Sequence, residues 1–486
     1  MKQEKTFLGQ PLGLSTLFST ELWERFSYYG MKAILIYYMY YSVAKGGLGF
    51  DKTVALSIMS IYGSMVYLST VLGGFIADRI LGSRKTVFYG GVFIMFGHIF
   101  LSLPFGKLAL FASIISICIG TGMLKPNISD MVGKLYPDGD NRKDAGFNIF
   151  VFGINFGALI APLIVGTIGL NYNFHVGFSI AAIGMFIALL NYYLVGNKRL
   201  GDIGNEPSAP LTDVEKSKIK RNILLGTILF ILVLGFMKII GILNIENFIS
   251  LLSIIVILTP IAYFMIMLNS KKVNSIERKK VLAYIPLFIA ATVFWAIEEQ
   301  GSVVLALFAA DQTNNSILGF NINVSWYQLL NPGFIMLYTP LFAYMWTKLG
   351  KKQPSTPKKF AYGMFFAGLS YIFMMIPIGL FGETAKVSPF WLIGSWAIIE
   401  IAELLISPIG LSVTTSLAPK SFESQMLGMW FLADAAGQAI NSQIVKFYVP
   451  GNEMNYFMWI GIVSIVAGIV LLFMLKKIKN NMGNVL

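Results

Sequence analysis

The sequence of 486 residues contains one cysteine and only two histidines. A single cysteine excludes an intramolecular disulfide framework. The histidines, His98 and His175, are distant in sequence and with one cysteine do not form the ligand set of a zinc site. We therefore expect no bound metal and no cofactor.

Charged residues are also scarce, at 13% of the chain, whereas hydrophobic residues make up 56% and the mean hydropathy is +0.69. Water-soluble domains carry about 25% charged residues. A helix that crosses a bilayer needs about 20 apolar residues, so this composition predicts an integral membrane protein instead of a soluble enzyme. The charged start leads directly into a long apolar stretch without a small-residue cleavage site, and we expect no removable signal peptide.

Apolar runs separated by glycine, proline and charge clusters predict membrane spans in groups of six, two and six. The predicted spans lie near residues 15–42, 53–77, 85–104, 107–132, 145–168, 174–195, 221–243, 247–269, 281–310, 325–347, 358–381, 389–415, 421–446 and 455–475. The predicted fold class is an all-α integral membrane protein with 14 transmembrane helices. The predicted divisions are an N-terminal six-helix bundle (1–196), a cytoplasmic linker (197–220), two additional transmembrane helices (221–270) and a C-terminal six-helix bundle (271–486).

The net charge of +13 comes from 37 lysine and arginine residues against 24 acidic ones. Most of these basic residues fall in alternate connections between the predicted spans. By the positive-inside rule those connections are cytoplasmic, which places both termini in the cytoplasm, as an even number of crossings requires. Because the excess charge sets topology and there is no soluble domain to carry a recognition surface, we expect no nucleic-acid partner.

The two groups of six show signs of duplication. The stretch from Gly74 to Lys85 follows the second span, and a degraded echo from Thr347 to Lys352 follows the second span of the last group. Secondary transporters commonly consist of repeats with the substrate site at their interface. The duplication therefore favours transport.

Charged side chains within the predicted spans are costly in lipid and mark cavities, ion paths or proton relays. In the first span, polar residues fall within a sector of about 140° and form one face: Glu21, Glu24, Arg25, Tyr28, Tyr29 and Lys32. That face must point into the protein, because lipid offers no hydrogen bonds. Later spans add Lys125, Glu298, Glu299, Glu400 and Glu403.

The acids in this set outnumber the cations, so not every carboxylate can be paired. An unpaired acid in a medium of low dielectric constant tends to bind a proton, which is a requirement for a proton carrier. For Glu21 and Glu400 a neutral structural role or a solvated helix end is an equally good reading.

Several motifs resemble the proton-coupled oligopeptide transporters of the major facilitator superfamily. ELWERFSYYG, from Glu21 to Gly30, is similar to the family's ExxERFxYYG signature, and the segment from Gly74 to Lys85 resembles the loop that braces helices on the cytoplasmic face in that superfamily. Further matches are FNIFVFGINFGAL around Asn155, GTGMLKPNIS around Lys125, FWAIEEQGS from Phe294 and ELLISP from Glu403. The two additional helices are typical of bacterial members, which implies a multi-pass protein of a bacterial cell membrane.

The resemblance implies import of di- and tripeptides with protons through a cavity that opens alternately to each side. It implies proton coupling by Glu21, Glu24, Arg25 and Glu298. It implies substrate contacts from Arg25, Tyr29, Tyr67, Lys125, Asn127, Asn155, Trp295, Glu298, Asn331, Glu403, Ser407 and Trp430. It also implies gating salt bridges from Lys32 to Glu299 and from Lys125 to Glu403. A peptide zwitterion needs cationic and anionic poles, which the two halves supply separately. We expect the monomer to be the functional unit.

Three alternatives stay open at this point. A related transporter would import nitrate or another small anion or zwitterion, such as an amino-acid derivative. A membrane enzyme would need a paired catalytic constellation or a metal-ligand cluster, and neither is evident. A channel would more commonly assemble symmetric subunits around its pore.

Overall fold

The computed structural model describes residues 6–137, 140–317 and 319–483, with the backbone alone at residues 423 and 424. Nearly all of the regular structure is helical, and two short antiparallel hairpins accompany it. The hairpins are β1 (Thr6–Phe7) with β2 (Gln10–Pro11) and β3 (Ser316–Ile317) with β4 (Phe320–Asn321). The helices are α1 (Gly13–Tyr40), α2 (Lys52–Ile76), α3 (Ser83–Ser102), α4 (Gly106–Lys134), α5 (Lys143–Ala161), α6 (Thr167–Asn171), α7 (Phe174–Leu200), α8 (Asp213–Ile239), α9 (Ile245–Asn269), α10 (Ser275–Glu298), α11 (Val304–Asp311), α12 (Leu330–Leu349), α13 (Thr356–Phe381), α14 (Phe390–Ser416), α15 (Glu423–Ile444) and α16 (Glu453–Met482).

Two spans are interrupted. A π-helical turn, Pro162–Gly166, joins α5 to α6, and a 3-10 turn, Glu299–Ser302, follows α10 before α11 begins. When α5–α6 and α10–α11 are each counted as one span, the described chain has 14 spanning helices, and the predicted all-α membrane fold is confirmed. Broken helices at membrane depth are tolerated where they are buried in protein or line a cavity, which is the position of the turn after α10.

Among the described helices, eleven spans are long and apolar enough by length and composition to cross a membrane. The helices α1, α12 and α15 are not among them. For α1 the reason is the predicted polar face, since Glu21, Glu24, Arg25 and Lys32 all fall within it. The helix is largely buried instead of exposed to lipid.

The two groups of six spans repeat the same packing. In the first group α3 packs on α4 and α7, and α1 packs on α5 and α7. In the last group α13 packs on α14 and α16, and α10 packs on α15 and α16. The halves meet mainly where α2 packs on α15 and α5 on α12. This correspondence is the structural form of the duplication indicated by the sequence.

Glycines allow the closest helix contacts in the first group. A Cβ atom at Gly73 of α2 would lie 1.8 Å from the backbone oxygen of Gly122 in α4. Only glycine permits this separation, which is how small residues draw membrane helices together.

The connection after the first group is docked on the loop between α2 and α3. Helix α7 continues to Leu200 and α8 begins at Asp213, so helices occupy both ends of the stretch predicted as a linker. Arg84 donates from Nη1 to the Gly201 carbonyl at 2.6 Å, and from Nη2 to Asn197 Oδ1 at 2.7 Å. The segment from Gly74 to Lys85, which comprises the end of α2, a helical turn and the start of α3, therefore anchors this connection.

The additional helices α8 and α9 lie at the periphery. Met237 is the one residue of α8 that is buried. Helix α9 contacts both α2 and α15, and Ser253 Oγ lies 2.8 Å from Ser442 Oγ of α15. These contacts leave the pair outside the interface between the two six-span groups.

Candidate functional site

A cavity lies at the interface of the two six-span groups. Its walls come from α1, α2, α10, α12, α14 and the two 3-10 turns, Glu299–Ser302 and Val324–Leu329. The lining side chains are Tyr29, Lys32, Tyr67, Trp295, Glu298, Glu299, Ser302, Gln328, Asn331, Trp396 and Glu403. Most of these are residues to which the sequence prediction gave a role.

Three glutamates and one asparagine form an acidic cluster on the C-terminal side of the cavity. The Nδ2 atom of Asn331 lies 2.9 Å from Glu298 Oε1, 2.9 Å from Glu400 Oε1 and 3.4 Å from Glu403 Oε2. Asn331 lies in the first turn of α12, where the following proline, Pro332, costs no helical hydrogen bond. Glu400 and Glu403 are three residues apart on α14 and so share a face.

The three carboxylates of the acidic cluster present oxygen atoms within 4.8 Å of one another. Divalent cations bind such oxygens, yet here the amide nitrogen of Asn331, a donor, points at all three. None of the salt bridges in the described part of the chain involves Glu298, Glu400 or Glu403. An acidic group that shares one amide donor and has no salt-bridge partner among the described residues is suited to holding protons.

On the N-terminal side, Arg25 is held by the two glutamates of its own helix. Its Nε atom lies 3.0 Å from Glu21 Oε1 and 2.5 Å from Glu24 Oε2, and all three side chains are buried. The Nη2 atom of Arg25 is buried and has no hydrogen-bond partner among the described residues. A guanidinium with an unused donor can accept a further carboxylate ligand.

One ion pair joins the halves beside the cavity. Lys32 Nζ of α1 lies 2.9 Å from Glu299 Oε2, in the turn that follows α10. Further contacts between the halves lie at the same end of the molecule: Tyr37 Oη donates to the Ala306 carbonyl, Lys52 pairs with Asp311, and Trp326 Nε1 donates to Thr167 Oγ1. The halves are therefore closed at the end where α1 finishes and α2 begins.

Lys125 and Glu403 are not paired in this conformation. Lys125 Nζ lies 4.1 Å from the centre of the Tyr67 ring, a cation–π contact, and Glu403 belongs to the acidic cluster. Lys125 lies in the second half of α4, toward the end opposite the closed one, and Glu403 lies at the middle of α14. The pair predicted for that end is open while the Lys32–Glu299 pair is formed.

The aromatic residues predicted as walls fall into two positions. Tyr29, Tyr67 and Trp295 line the cavity, whereas Trp430 packs behind Trp295 with ring centres 6.3 Å apart. Trp295 Nε1 is buried without a partner among the described residues, so it can donate to a ligand.

Several predicted substrate contacts do not line this cavity in the conformation described. They are Arg25, Lys125, Asn127, Asn155, Ser407 and Trp430. Asn127 Nδ2 donates to the Gly73 and Met123 carbonyls, at 3.1 Å and 2.7 Å, and so ties α4 to α2. Asn155 Nδ2 donates to the Val151 carbonyl of its own helix at 3.0 Å.

Sequence reasoning overlooked Ser302, Gln328 and Trp396 of the lining, and it gave Asp434 no role. Gln328 Nε2 donates to the Gly301 carbonyl at 3.0 Å, and Gly301 is required because a Cβ there would lie 2.2 Å from the Trp396 ring. Asp434 is buried on α15 and accepts a hydrogen bond from Gln438 at 2.8 Å. Asp434 could have been identified from the sequence, because it is an acidic residue within an apolar span. Nothing in the sequence distinguishes Trp396 as a cavity residue.

Comparison with known proteins identifies the family of this chain. A family model described as the POT family matches residues 84–460. The chain belongs to the POT family. A di-/tripeptide transporter of Lactococcus lactis subsp. cremoris is 51% identical over 100% of this chain and 99% of its own length.

Solved structures agree with the POT family assignment along the whole chain. A peptide transporter POT variant crystallised in complex with alafosfalin has a TM-score of 0.95 at 50% identity and covers 99% of this chain and 98% of its own. A POT family transporter in complex with a thioalcohol-conjugated peptide has a TM-score of 0.92 at 44% identity, with 98% of both chains covered. As a POT family member the chain is a multi-pass membrane transporter, which excludes the membrane-enzyme and channel alternatives.

Proposed function

We propose that the chain imports di- and tripeptides together with protons by alternating access between its two six-span groups. Family membership and the names of relatives about half identical in sequence support a peptide over nitrate or another small anion. The observation that carries the proposal is the acidic cluster of the C-terminal half, whose Glu298 and Glu403 line a cavity shared with Lys32 of the N-terminal half.

A short peptide requires a cationic and an anionic pole; Glu403 lines the cavity, whereas Arg25 and Lys125 lie outside its lining in this conformation. We assign the peptide ammonium to Glu403 and the peptide carboxylate to Arg25 and Lys125. Arg25 has an unused donor, and Lys125 contacts the Tyr67 ring and forms no salt bridge among the described residues, so both can turn to a ligand. Tyr29, Tyr67 and Trp295 provide flat apolar surfaces that tolerate many side chains, while their polar atoms fix orientation.

We assign the transported proton to Glu298. It ends α10 and is buried, and among the described residues its side chain accepts one hydrogen bond, from Asn331. Its neighbour in sequence, Glu299, holds Lys32. A proton on Glu298 removes a negative charge beside that ion pair and so alters the stability of the closed end. Glu21 and Glu24 complete the coupling group through Arg25.

The two salt bridges then act as alternating latches. Lys32–Glu299 holds one end closed, and Lys125–Glu403 closes the other end when the first opens. Breaking a buried pair costs about 3–5 kcal/mol unless a proton or a substrate replaces one partner, so ligand and proton shift the balance between the two states. Each positive charge carried inward gains about 2.3 kcal/mol per 100 mV of membrane potential.

Orientation and organisation belong to the same proposal. With both termini in the cytoplasm, the closed end faces outward, and Lys125 lies toward the cytoplasm. The moving bodies are residues 1–196 and 271–486, linked by 197–220 and by the two helices in 221–270. A complete cavity is formed by one chain, which supports a functional monomer.

The test is accumulation of labelled dialanine by purified protein in liposomes, with the pH difference and the voltage imposed independently. We expect concentrative uptake when either inward proton gradient or negative interior voltage is applied. Equilibration without accumulation under both forces would contradict proton coupling, and absence of any dialanine exchange would contradict the peptide assignment.

A further inference from the structure

Glu400 is the member of the acidic cluster to which the proposed cycle gives no task. It lies on α14, one turn before Glu403, and none of its side chain is exposed. One oxygen, Oε1, accepts the Asn331 amide at 2.9 Å, whereas Oε2 is buried with no donor facing it among the described residues. A buried carboxylate oxygen without a donor is unfavourable by about 1–3 kcal/mol or more.

The neighbouring group is another acid. The carboxyl groups of Glu400 and Glu403 present oxygen atoms within 4.8 Å of one another, and both groups face the same Asn331 amide. Ionised carboxylates have only acceptor atoms, so a hydrogen bond between two of them requires that one carries a proton. A proton on Glu400 supplies the missing donor and removes one of two adjacent negative charges.

No cation among the described residues beside this part of α14 is free to replace that proton. The charged and titratable side chains of the elements packed around this part of α14 are Glu298 and Glu299 beside the end of α10, Tyr338 of α12, Tyr371 of α13, Asp434 of α15 and Lys32 of α1. Lys32 is the one cation in this set and is already paired with Glu299. The Tyr371 hydroxyl donates to the Ile297 carbonyl at 3.1 Å, so its proton is not available for a hydrogen bond to Glu400.

A second observation indicates that this region of the cavity receives a ligand. Trp396 lies one turn before Glu400 on α14, is 3% exposed and lines the cavity. Its Nε1 atom has no hydrogen-bond partner among the described residues. A buried indole N–H normally finds an acceptor, and here the cavity is the place from which a peptide carbonyl or water can supply it.

We propose that Glu400 is a further proton site, which holds its proton in a hydrogen bond to Glu403 and releases it when an ammonium group docks on Glu403. The O–H bond of Glu400 breaks, the proton passes to water in the cavity, and the N–H donors of the ammonium take its place between the two carboxylates. The positive charge of the ammonium stabilises both Glu400 and Glu403 in their ionised forms, whereas without peptide only Glu403 is ionised. The release step rests on the proposed function, because it assigns the peptide ammonium to Glu403; the resting proton does not.

Infrared spectroscopy of the purified protein in liposomes tests the resting proton directly. A protonated carboxylic acid has a C=O band that is distinct from the carboxylate bands and shifts in D₂O. We expect wild type without peptide to show this band and Glu400→Gln to lose one component of it. The glutamine amide keeps a donor for Glu403, which favours correct folding. Glu400→Leu is the second variant, because it is apolar and of similar volume.

Dialanine added to the same samples tests the release step. We expect wild type to lose the Glu400 component and to release up to one more proton per protein than Glu400→Gln, measured with a pH indicator in weakly buffered solution. An unchanged acid band in both folded variants would overturn the resting proton. Dialanine binding to wild type with no change in the band would overturn the release step. If wild type binds no dialanine, the peptide assignment fails while the peptide-free spectra still decide the proton site.

Discussion

Lys32 Nζ lies 2.9 Å from Glu299 Oε2, and this ion pair joins the first helix of one half to the turn after α10 in the other. The lysine side chain is 15% exposed and the glutamate 10%. At the same end, Lys52 and Asp311 form a second pair at 2.6 Å, with side chains 47% and 41% exposed. The two pairs span the same interface and differ mainly in burial.

Because the two ion pairs differ in burial, we expect neutralising the acidic residue to open the closed end more at Glu299 than at Asp311. Glu299→Gln leaves the partly buried Lys32 without a counter-charge, so we expect the closed end to open in a larger fraction of molecules. Asp311→Asn is the matched control, because an exposed ion pair contributes only about 0–1 kcal/mol.

Spin labels at Tyr172 and Phe390, exposed residues of opposite halves at this end, report the separation by pulsed electron resonance. Cys118 is buried, and its replacement by serine provides the label-free background. We expect a longer distance population in Glu299→Gln only. Equal spin-label distance distributions in the two variants would contradict the proposal that the Lys32–Glu299 pair holds this end closed.

The Glu298→Gln variant distinguishes peptide exchange, which needs no proton, from peptide accumulation that is coupled to a proton gradient. The amide is neutral at every pH and matches the protonated acid in shape, so we expect peptide exchange across loaded vesicles to persist within about twofold of wild type. Accumulation driven by a pH gradient should be lost, because the site no longer titrates.

Glu246→Gln is the control for the Glu298 experiment, since Glu246 is exposed at the start of α9. It should accumulate peptide like wild type. Gradient-driven accumulation in Glu298→Gln equal to that of the control would assign the transported proton elsewhere.

The sequence alone predicted the spans and the charged face of α1 because apolar runs and intramembrane charges are local signals. It did not predict which acids meet. Glu298, Glu400 and Glu403 lie on two helices, and only the folded chain brings all three to Asn331. The break at Glu299–Ser302 was also missed, because this segment reads as part of a continuous apolar run.

The separation of Lys125 from Glu403 could not have been predicted from sequence either. A sequence motif indicates which residues can pair. It does not indicate in which conformation of the transporter they are paired. The Tyr67 ring that holds Lys125 in this conformation lies on another helix. The partner of a lysine in a transporter depends on the state of the whole interface.

Arg25→Ala tests the assignment of the peptide carboxylate. Removing the guanidinium leaves Glu21 and Glu24 buried without their shared cation, and we expect both exchange and driven uptake of dialanine to fall below a tenth of wild type. Arg25→Lys retains the charge and loses the fork of donors, so we expect partial exchange. A thermal unfolding midpoint for each variant shows whether the loss is one of folding. Full exchange by folded Arg25→Ala would contradict the assignment.

Arg84, near the start of α3, hydrogen-bonds the end of α7 and the connection that follows it, so we expect its removal to loosen that connection. Arg84→Ala removes the hydrogen bonds to Asn197 and Gly201, and we expect cleavage near Glu206 by a glutamyl endopeptidase to become at least several-fold faster. Lys85→Ala is the control, because the adjacent Lys85 is exposed. Cleavage at the same rate in both variants would show that Arg84 does not anchor the connection.

Two adjacent glycines of α2 provide a sharp test of helix packing. A Cβ at Gly73 would lie 1.8 Å from the Gly122 backbone oxygen, whereas a Cβ at Gly74 would meet nothing within 4 Å. Overpacking of this kind costs about 1–3 kcal/mol, and backbone cannot move aside as a flexible side chain can. We therefore expect Gly73→Ala to lower the thermal unfolding midpoint in detergent. Gly74→Ala should leave it unchanged or raise it, because alanine favours the helix over glycine by about 1 kcal/mol. Equal midpoints for the two variants would mean that α2 and α4 are not held at this separation.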